Sequence, residues 1–541
     1  MTDWLAERTA VSPKSIALII SDQQWTYTEL NTAVSVTTTH LHKNGIQPGT
    51  HLAILMPNSF TTVCLIHAAA RLGAVLIPLN IRLTAAELAW QIQQADATTL
   101  VVDKTFAEMG KELEKEAKCQ LLMVNSQLSM GETPSSLTVD NWQLTINNSP
   151  PSLQAIVFTS GTTGHPKGAM ITFDNHFTSA MASAYRLGLD VKDRWLSVLP
   201  LYHVGGLAVI FRSCLYGTAV ILHPRFHLDT INHSLDRDQP TLISLVPTML
   251  YRLLNTRTNW PAGLRLILLG GAAATPELVE AANKIPRKLP IVKDRLSIAN
   301  VESLTIDNRQ LTIDNSPPPL LATTYGLTEA ASQVTTQTPK STAHKPGSVG
   351  KPLLFTKVEI VDENGRLLPQ GEYGEIVVSG PTVMRGYYNN PEATAQVLRN
   401  GRLHTGDIGY LDEDGDLWLV QRRSDIIISG GENVYPKQVE QVLEENTAVS
   451  AACVVGIPDP EWGQKVVAMV QRMPKKQISE KELIAFSREQ LAGYKQPRHI
   501  HFVDKLPLTA SGKIHRKAVA DRLQNIFQSL SLHTDGGNTD I

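Results

Sequence analysis

The strongest constraint on the fold is an alternation that runs through the first half of the chain. Between residues 16 and 125, short apolar runs alternate with stretches of helical period. His51–Met56 and Ala74–Pro78 read as strands with a helix from about Ser59 to Leu72 between them, and Thr98–Val102 follows a helical Thr84–Ala95. The pattern resumes later. Thr172 is placed to cap a helix reaching about Leu187, and strands follow at Trp195–Leu199, Ala219–Leu222, Leu242–Val246 and Leu264–Leu269. Thr275-Pro276-Glu277 opens another helix with a capping hydroxyl, an early proline and an early acid. A helix between two strands carries the chain back to the starting edge, so this repetition dictates an α/β fold with parallel sheet under helices.

From Lys357 the pattern changes to hairpins. Val358–Val361 turns at Glu363-Asn364-Gly365, and Leu411–Leu419 turns at Asp414-Gly415. Mixed strands and helices then continue from Ser424 to about Phe527, long enough for a separate domain. With 541 residues, the chain exceeds what one core supports. The expected division is an N-terminal domain at 1–423 with a β-rich subdomain at about 350–423, a C-terminal domain at 424–527, and a flexible tail at 528–541. Near-copies of one peptide, at Leu144–Pro151, Leu304–Asn308 and Leu311–Pro319, mark loop insertions at 126–151 and 292–319.

Composition removes several function classes. Lys and Arg number 49 against 51 Asp and Glu, a net charge of −2, so no basic field invites nucleic acid. Cys64, Cys119, Cys214 and Cys453 have no metal-ligand spacing and suit a reducing compartment as buried, inert thiols. No signal peptide is visible, and Arg212 closes the most apolar stretch, Trp195–Phe211, before it could span a bilayer. A cytoplasmic location is expected. A homo-oligomer is left open, since nothing in the sequence speaks to it.

The segment Thr159–Gly168 packs three glycines, four hydroxyls and Lys167 into ten residues after the apolar Ala155–Phe158. Backbone N–H groups turned to a common point bind anions, hydroxyls add donors and a lysine adds charge. That is chemistry for a polyphosphate, although glycine-rich segments are also common as plain loops. The Walker pattern is excluded because Gly168 follows Lys167, and the dinucleotide pattern G-x-G-x-x-G is absent. Ala169–Ile171 reads as a strand, so the segment turns between two strands rather than opening a helix.

Five further segments complete a series: Leu199–Gly206, Leu269–Ala274, Tyr325–Ala330, His404–Asp407 with Gln421–Asp425, and Leu508–Lys513. In this order they resemble the adenylate-forming family of acyl-CoA synthetases, luciferases and peptide-synthetase adenylation domains. The resemblance spans residues from about 16 to 520. It implies a large N-terminal domain of two αβ-layered sheets plus the β-rich subdomain, and a small mobile α+β C-terminal domain. It also implies activation of a carboxylic acid by ATP with Mg²⁺, then transfer of the acyl group to CoA.

By the same resemblance, Thr159, Ser160, Gly161, Thr162, Thr163, Gly164 and Lys167 hold the β- and γ-phosphates. Glu329 is the Mg²⁺-associated acid, Thr328 supplies the hydroxyl beside the α-phosphate, and Gly326 is a nucleotide-binding position. Tyr325 stacks on adenine against Gly271 and Ala272, Asp407 binds the ribose hydroxyls, and Arg422 sits on the ATP side of the domain junction. Lys513 bridges the substrate carboxylate and the α-phosphate, where an ammonium offsets two anions brought close. His203 and Gly271 face the acyl group, Ser424 is the hinge, and Gly430-Gly431 faces CoA once the C-terminal domain has rotated. Two positions depart from the family: Ser424 stands where an Asp or Lys is usual, and Gln421 where a glycine is.

Leu199–Leu207, Thr328–Gln333 and Arg422–Pro436 are most similar to the branch that activates 2-succinylbenzoate for menaquinone or phylloquinone synthesis. Such a substrate carries a second carboxylate, so a polar or cationic contact deep in the acyl pocket is expected. A ligase for another aryl or medium-chain acid, a luciferase-type oxygenase and a non-catalytic nucleotide- or acyl-binding paralogue are the alternatives.

Overall fold

Alternate residues of single strands enter different cores, and this organises the N-terminal part of the molecule. The computed structural model describes residues 3–124, 153–159, 166–272, 274–287, 320–421, 426–474, 476–508 and 514–534. Within them Trp195, Val220 and Leu242 belong to one core, while their neighbours Leu196, Ile221 and Ile243 belong to a second. In another sheet Leu52 and Ile54 join the first core, and Ala53 and Leu55 face a third. Successive side chains of a strand point to opposite faces, so each sheet is buried on both sides.

The larger sheet has nine strands. Its parallel centre runs Leu321–Leu327, Leu266–Leu269, Leu242–Leu245, Arg194–Ser197, Ala219–Leu222 and Ile16–Ile20, with antiparallel strands at both edges. The second has six strands, in the order Gln120–Met123, Thr99–Val102, His51–Leu55, Val75–Pro78, Leu153–Thr159 and Lys167–Thr172. Only its last pair is antiparallel, the hairpin that carries the glycine-rich turn. Helices Phe60–Leu72, Phe173–Leu187 and Val204–Tyr216 feed Ala68, Ala180 and Leu207 into the core shared by both sheets. Thr172 and Thr275 cap their helices as the sequence predicts, and Ser59 and Thr84, where helices were expected to start, cap theirs too. Among the described residues no helix is long and apolar enough to cross a membrane. The apolar stretch from Trp195 is instead a strand, a turn and a helix that continues past Arg212 to Tyr216.

Lys357–Val361, Gly374–Ser379, Arg402–Leu411 and Leu417–Gln421 form the expected antiparallel subdomain, whose Val358, Ile376 and Leu403 also enter the shared core. A second antiparallel unit begins at Ile427–Ser429 and centres on the long pair Val449–Asp459 and Gly463–Arg472. His499–Val503 joins it in parallel. Its last helix, Arg516–Thr534, runs past Phe527 where a tail was expected to begin at 528. No glycine or proline interrupts the sequence before Gly536, and the Phe527 ring packs on His499 with centroids 4.7 Å apart. The four cysteines are free and buried, and burial pushes the Cys64 thiol well up and that of Cys214 up to about 12. Both insertions, 126–151 and 292–319, fall outside the described residues.

Candidate active site

The predicted nucleotide residues gather at the carboxyl ends of the parallel strands, where α/β sheets bind their ligands. Strand Leu266–Leu269 runs into Gly270-Gly271, and Leu321–Leu327 runs into the short turn Thr328–Ala330. Thr159 ends its strand of the hairpin and Lys167 begins the other, the two in register. The Glu329 Oε1 accepts the Tyr387 hydroxyl at 2.7 Å and the Thr159 hydroxyl at 3.4 Å. Lys167, 7% exposed, places Nζ 5.4 Å from the centroid of the Tyr387 ring. A cation, a carboxylate and two hydroxyls thus meet at the foot of the glycine-rich turn. Hard oxygens of this kind, with one carboxylate, fit a Mg²⁺ ion that takes its remaining ligands from phosphates and water.

The Tyr325 hydroxyl donates to Asp407 Oδ2 at 2.7 Å, joining the nine-stranded sheet to the antiparallel subdomain. Tyr325 is 1% exposed, so the face expected to stack on adenine is not open in this arrangement. Gly326 has no room for a side chain, since a Cβ would lie 1.7 Å from the Ser332 carbonyl oxygen. Gly271 has φ +78°, and a Cβ there would lie 3.1 Å from Val246. Ala272 follows it and is half-buried. Ser160, Gly161, Thr162, Thr163, Gly164, Arg422, Ser424 and Lys513 lie outside the described residues.

The seam with the C-terminal unit closes over this site. Gly430 and Gly431 form the turn between strands Ile427–Ser429 and Glu432–Val434. A Cβ on Gly431 would stand 3.3 Å from Val246, the residue that also abuts Gly271. The Glu432 carboxylate is 4% exposed and accepts from Tyr202 at 3.2 Å, His203 Nε2 at 3.1 Å, Arg82 at 3.2 Å and Asn80 at 3.3 Å. Burial would raise its pKa, but His203, Arg82 and the Tyr202 hydroxyl outweigh that and hold it at about 2. Tyr202 is pushed up by burial and by the same carboxylate. His203 therefore reaches the C-terminal unit as well as the mouth of the helix it precedes.

Three residues absent from the sequence expectations belong to this picture. Glu432 lies inside the Arg422–Pro436 segment and Tyr387 in none of the segments, and no spacing singles either of them out. Arg212 is 2% exposed inside the helix Val204–Tyr216, with one amino group on Ser179 Oγ at 3.0 Å and Nε without a partner. Ser179 in turn donates to the Ala331 carbonyl, two residues beyond Glu329. Among the described residues the acids that converge as metal ligands would are Asp412, Asp414 and Asp416, away from this cluster. Lys345 already sits 2.7, 2.7 and 3.0 Å from them, which makes the group a staple of the turn.

The AMP-binding enzyme family matches residues 5–293 and 308–388, and the AMP-binding enzyme C-terminal domain matches 438–513. The chain belongs to the AMP-binding enzyme family. Within this family of AMP-binding enzymes it is 35% identical over 528 residues to a 2-succinylbenzoate–CoA ligase of Bacillus cereus, covering 97% of this chain and 99% of that one. A double mutant of o-succinylbenzoate CoA synthetase from Bacillus subtilis, bound with its product analogue OSB-NCoA, superposes with TM-score 0.83 at 36% identity, over 96% and 98% of the two chains. The Bacillus subtilis synthetase with ATP and magnesium ion superposes at only 0.67, with 35% identity over 96% and 99%. Coverage and identity hardly differ between the two superpositions.

Proposed function

We propose that this AMP-binding enzyme is an acid–CoA ligase that converts 2-succinylbenzoate, ATP and CoA into 2-succinylbenzoyl-CoA, AMP and diphosphate, in menaquinone or phylloquinone synthesis. The observation that carries this reading is the likeness, over nearly the whole chain, to 2-succinylbenzoate–CoA ligases that use the same two units. The acid's carboxylate attacks the α-phosphate and diphosphate leaves; the CoA thiol then attacks the acyl carbonyl and AMP leaves. Soluble co-substrates fit a cytoplasmic reaction.

The residue roles are those the family resemblance implies, and the contacts of Thr159, Lys167, Glu329, Tyr325, Asp407 and His203 support them. Lys167 and the turn it closes receive the β- and γ-phosphates, and positioned cations and N–H groups there stabilise charge as diphosphate departs. Glu329 and Thr159 would hold Mg²⁺, which supplies charge neutralisation on the phosphates when bound. Asp407 receives the ribose hydroxyls, a role that requires Tyr325 to yield the bond it now makes. Lys513 serves adenylation, Ser424 is the pivot, and His203 with Gly430-Gly431 serves the acyl and CoA side. Arg212 is the cation best suited to the second carboxylate, being buried without a described acid beside it.

The deciding experiment is thioester formation with ATP, Mg²⁺ and CoA against 2-succinylbenzoate, simple benzoates and fatty acids. Product from 2-succinylbenzoate in clear preference is expected. Product from a benzoate alone would overturn the substrate and leave the ligase chemistry standing.

A further inference from the structure

Residues 80–87 are a short stretch of the N-terminal part whose polar groups reach across to the C-terminal unit. The Glu87 Oε1 accepts Lys495 Nζ at 2.5 Å and Gln438 Nε2 at 3.1 Å. Its other oxygen is fixed locally, accepting the Thr84 N–H at 3.0 Å and hydroxyl at 3.1 Å in the capping box of helix Ala85–Gln94. Lys495 is 3% exposed. Nearby, Arg82 pairs with Glu432 and lies 4.6 Å from the Tyr494 ring centroid. The two ion pairs cross in opposite senses, one with its cation on the N-terminal side and one with its cation on the C-terminal side.

Burying an ion pair about breaks even against desolvation, so these contacts add little adhesion. What they impose is register, since a shifted docking would bury Lys495 or Glu87 without its partner, which is costly. On separation each regains water, so nothing holds the units shut. A contact with those properties can be made and broken in every turnover. We infer that Glu87 and Lys495 are positioning residues for the second half-reaction: they hold the C-terminal unit where Gly431 faces Val246 and Gly271, and take no part in adenylation. This rests on the ligase reading above and on the closer match to the product-analogue arrangement.

Glu87→Gln keeps a side chain able to cap its helix, and with Lys495→Met and the double variant it tests the pair. ATP–diphosphate exchange with the accepted acid is expected within about twofold of wild type, and thioester formation from preformed acyl-adenylate and CoA to fall about tenfold. The double variant should be no slower than the worse single one. Equal loss in both half-reactions, an unchanged thioester rate, or multiplied effects would each overturn the inference. Labelling of Lys495 by an amine-reactive ester, read by mass spectrometry, addresses the contact without turnover. Slow labelling in the wild type that rises in Glu87→Gln supports the contact, and no rise overturns it. A wild-type chain that makes no thioester from any acid would overturn the ligase reading alone, and the labelling would still decide the contact.

Discussion

Arg212 brings a positive charge into the interior beside Ser179, and burial draws its pKa below the ordinary value, with the Tyr216 hydroxyl offsetting only part of that and no described carboxylate paired with it. Glu432 shows the contrast: equally buried, it collects four donors. A guanidinium does not shed its proton in proteins, so an unmatched one at this depth is expensive unless an anion joins it. The second carboxylate of 2-succinylbenzoate is such an anion, and a monoacid lacks it. Arg212→Leu should therefore lower kcat/KM for 2-succinylbenzoate by about a hundredfold, the order seen when one member of a buried charge pair is removed. Turnover of any simple benzoate the enzyme accepts should change little. Equal loss on both acids would assign Arg212 to folding rather than to selectivity. The sequence could not single out this residue, because an arginine ending an apolar run reads as the point where the run meets water.

At the scale of elements, the turn after strand Leu321–Leu327 is held by backbone rather than side chains. Gly326 pairs with Gln333 across a bulge, and a Cβ would lie 1.7 Å from the Ser332 oxygen and 2.7 Å from its carbonyl carbon. Backbone cannot move aside as a flexible side chain can, so Gly326→Ala must open the pair that places Tyr325 on one side and Thr328 and Glu329 on the other. It should destabilise by about 3 kcal/mol in denaturant unfolding and remove ATP–diphosphate exchange. Wild-type stability with full exchange would show that the turn tolerates the shift. Elements like these were legible where local chemistry decides them: Ser59, Thr84 and Thr172 start helices, and short apolar runs mark strands within a residue or two of their observed ends. The strand order was not legible, because pairing Arg194–Ser197 between Leu242–Leu245 and Ala219–Leu222 depends on contacts between distant segments. The hydrogen bond that ties down the Tyr325 hydroxyl was hidden for the same reason, since its acceptor is Asp407, 82 residues further on.

The whole molecule has to solve a geometric conflict. The arrangement seen here seats Gly430-Gly431 at the site and buries Glu432 among Asn80, Arg82, Tyr202 and His203. Lys513 belongs to the same unit, and its described neighbours Leu508 and Ile514, bridged to each other, are 45% and 37% exposed. On the reading proposed above, one rigid unit would not present both surfaces to one site, so the two half-reactions would use two placements with Ser424 as the proposed pivot. The cationic roles then separate by half-reaction. Lys513→Ala should reduce acyl-adenylate formation to background while thioester formation from supplied adenylate stays within a few-fold of wild type, because the placement seen here needs no ammonium from that loop. Quenched-flow measurement of both steps decides it. If the variant lost both equally, Lys513 would act in the placement seen here as well, and a single arrangement would have to serve the whole reaction.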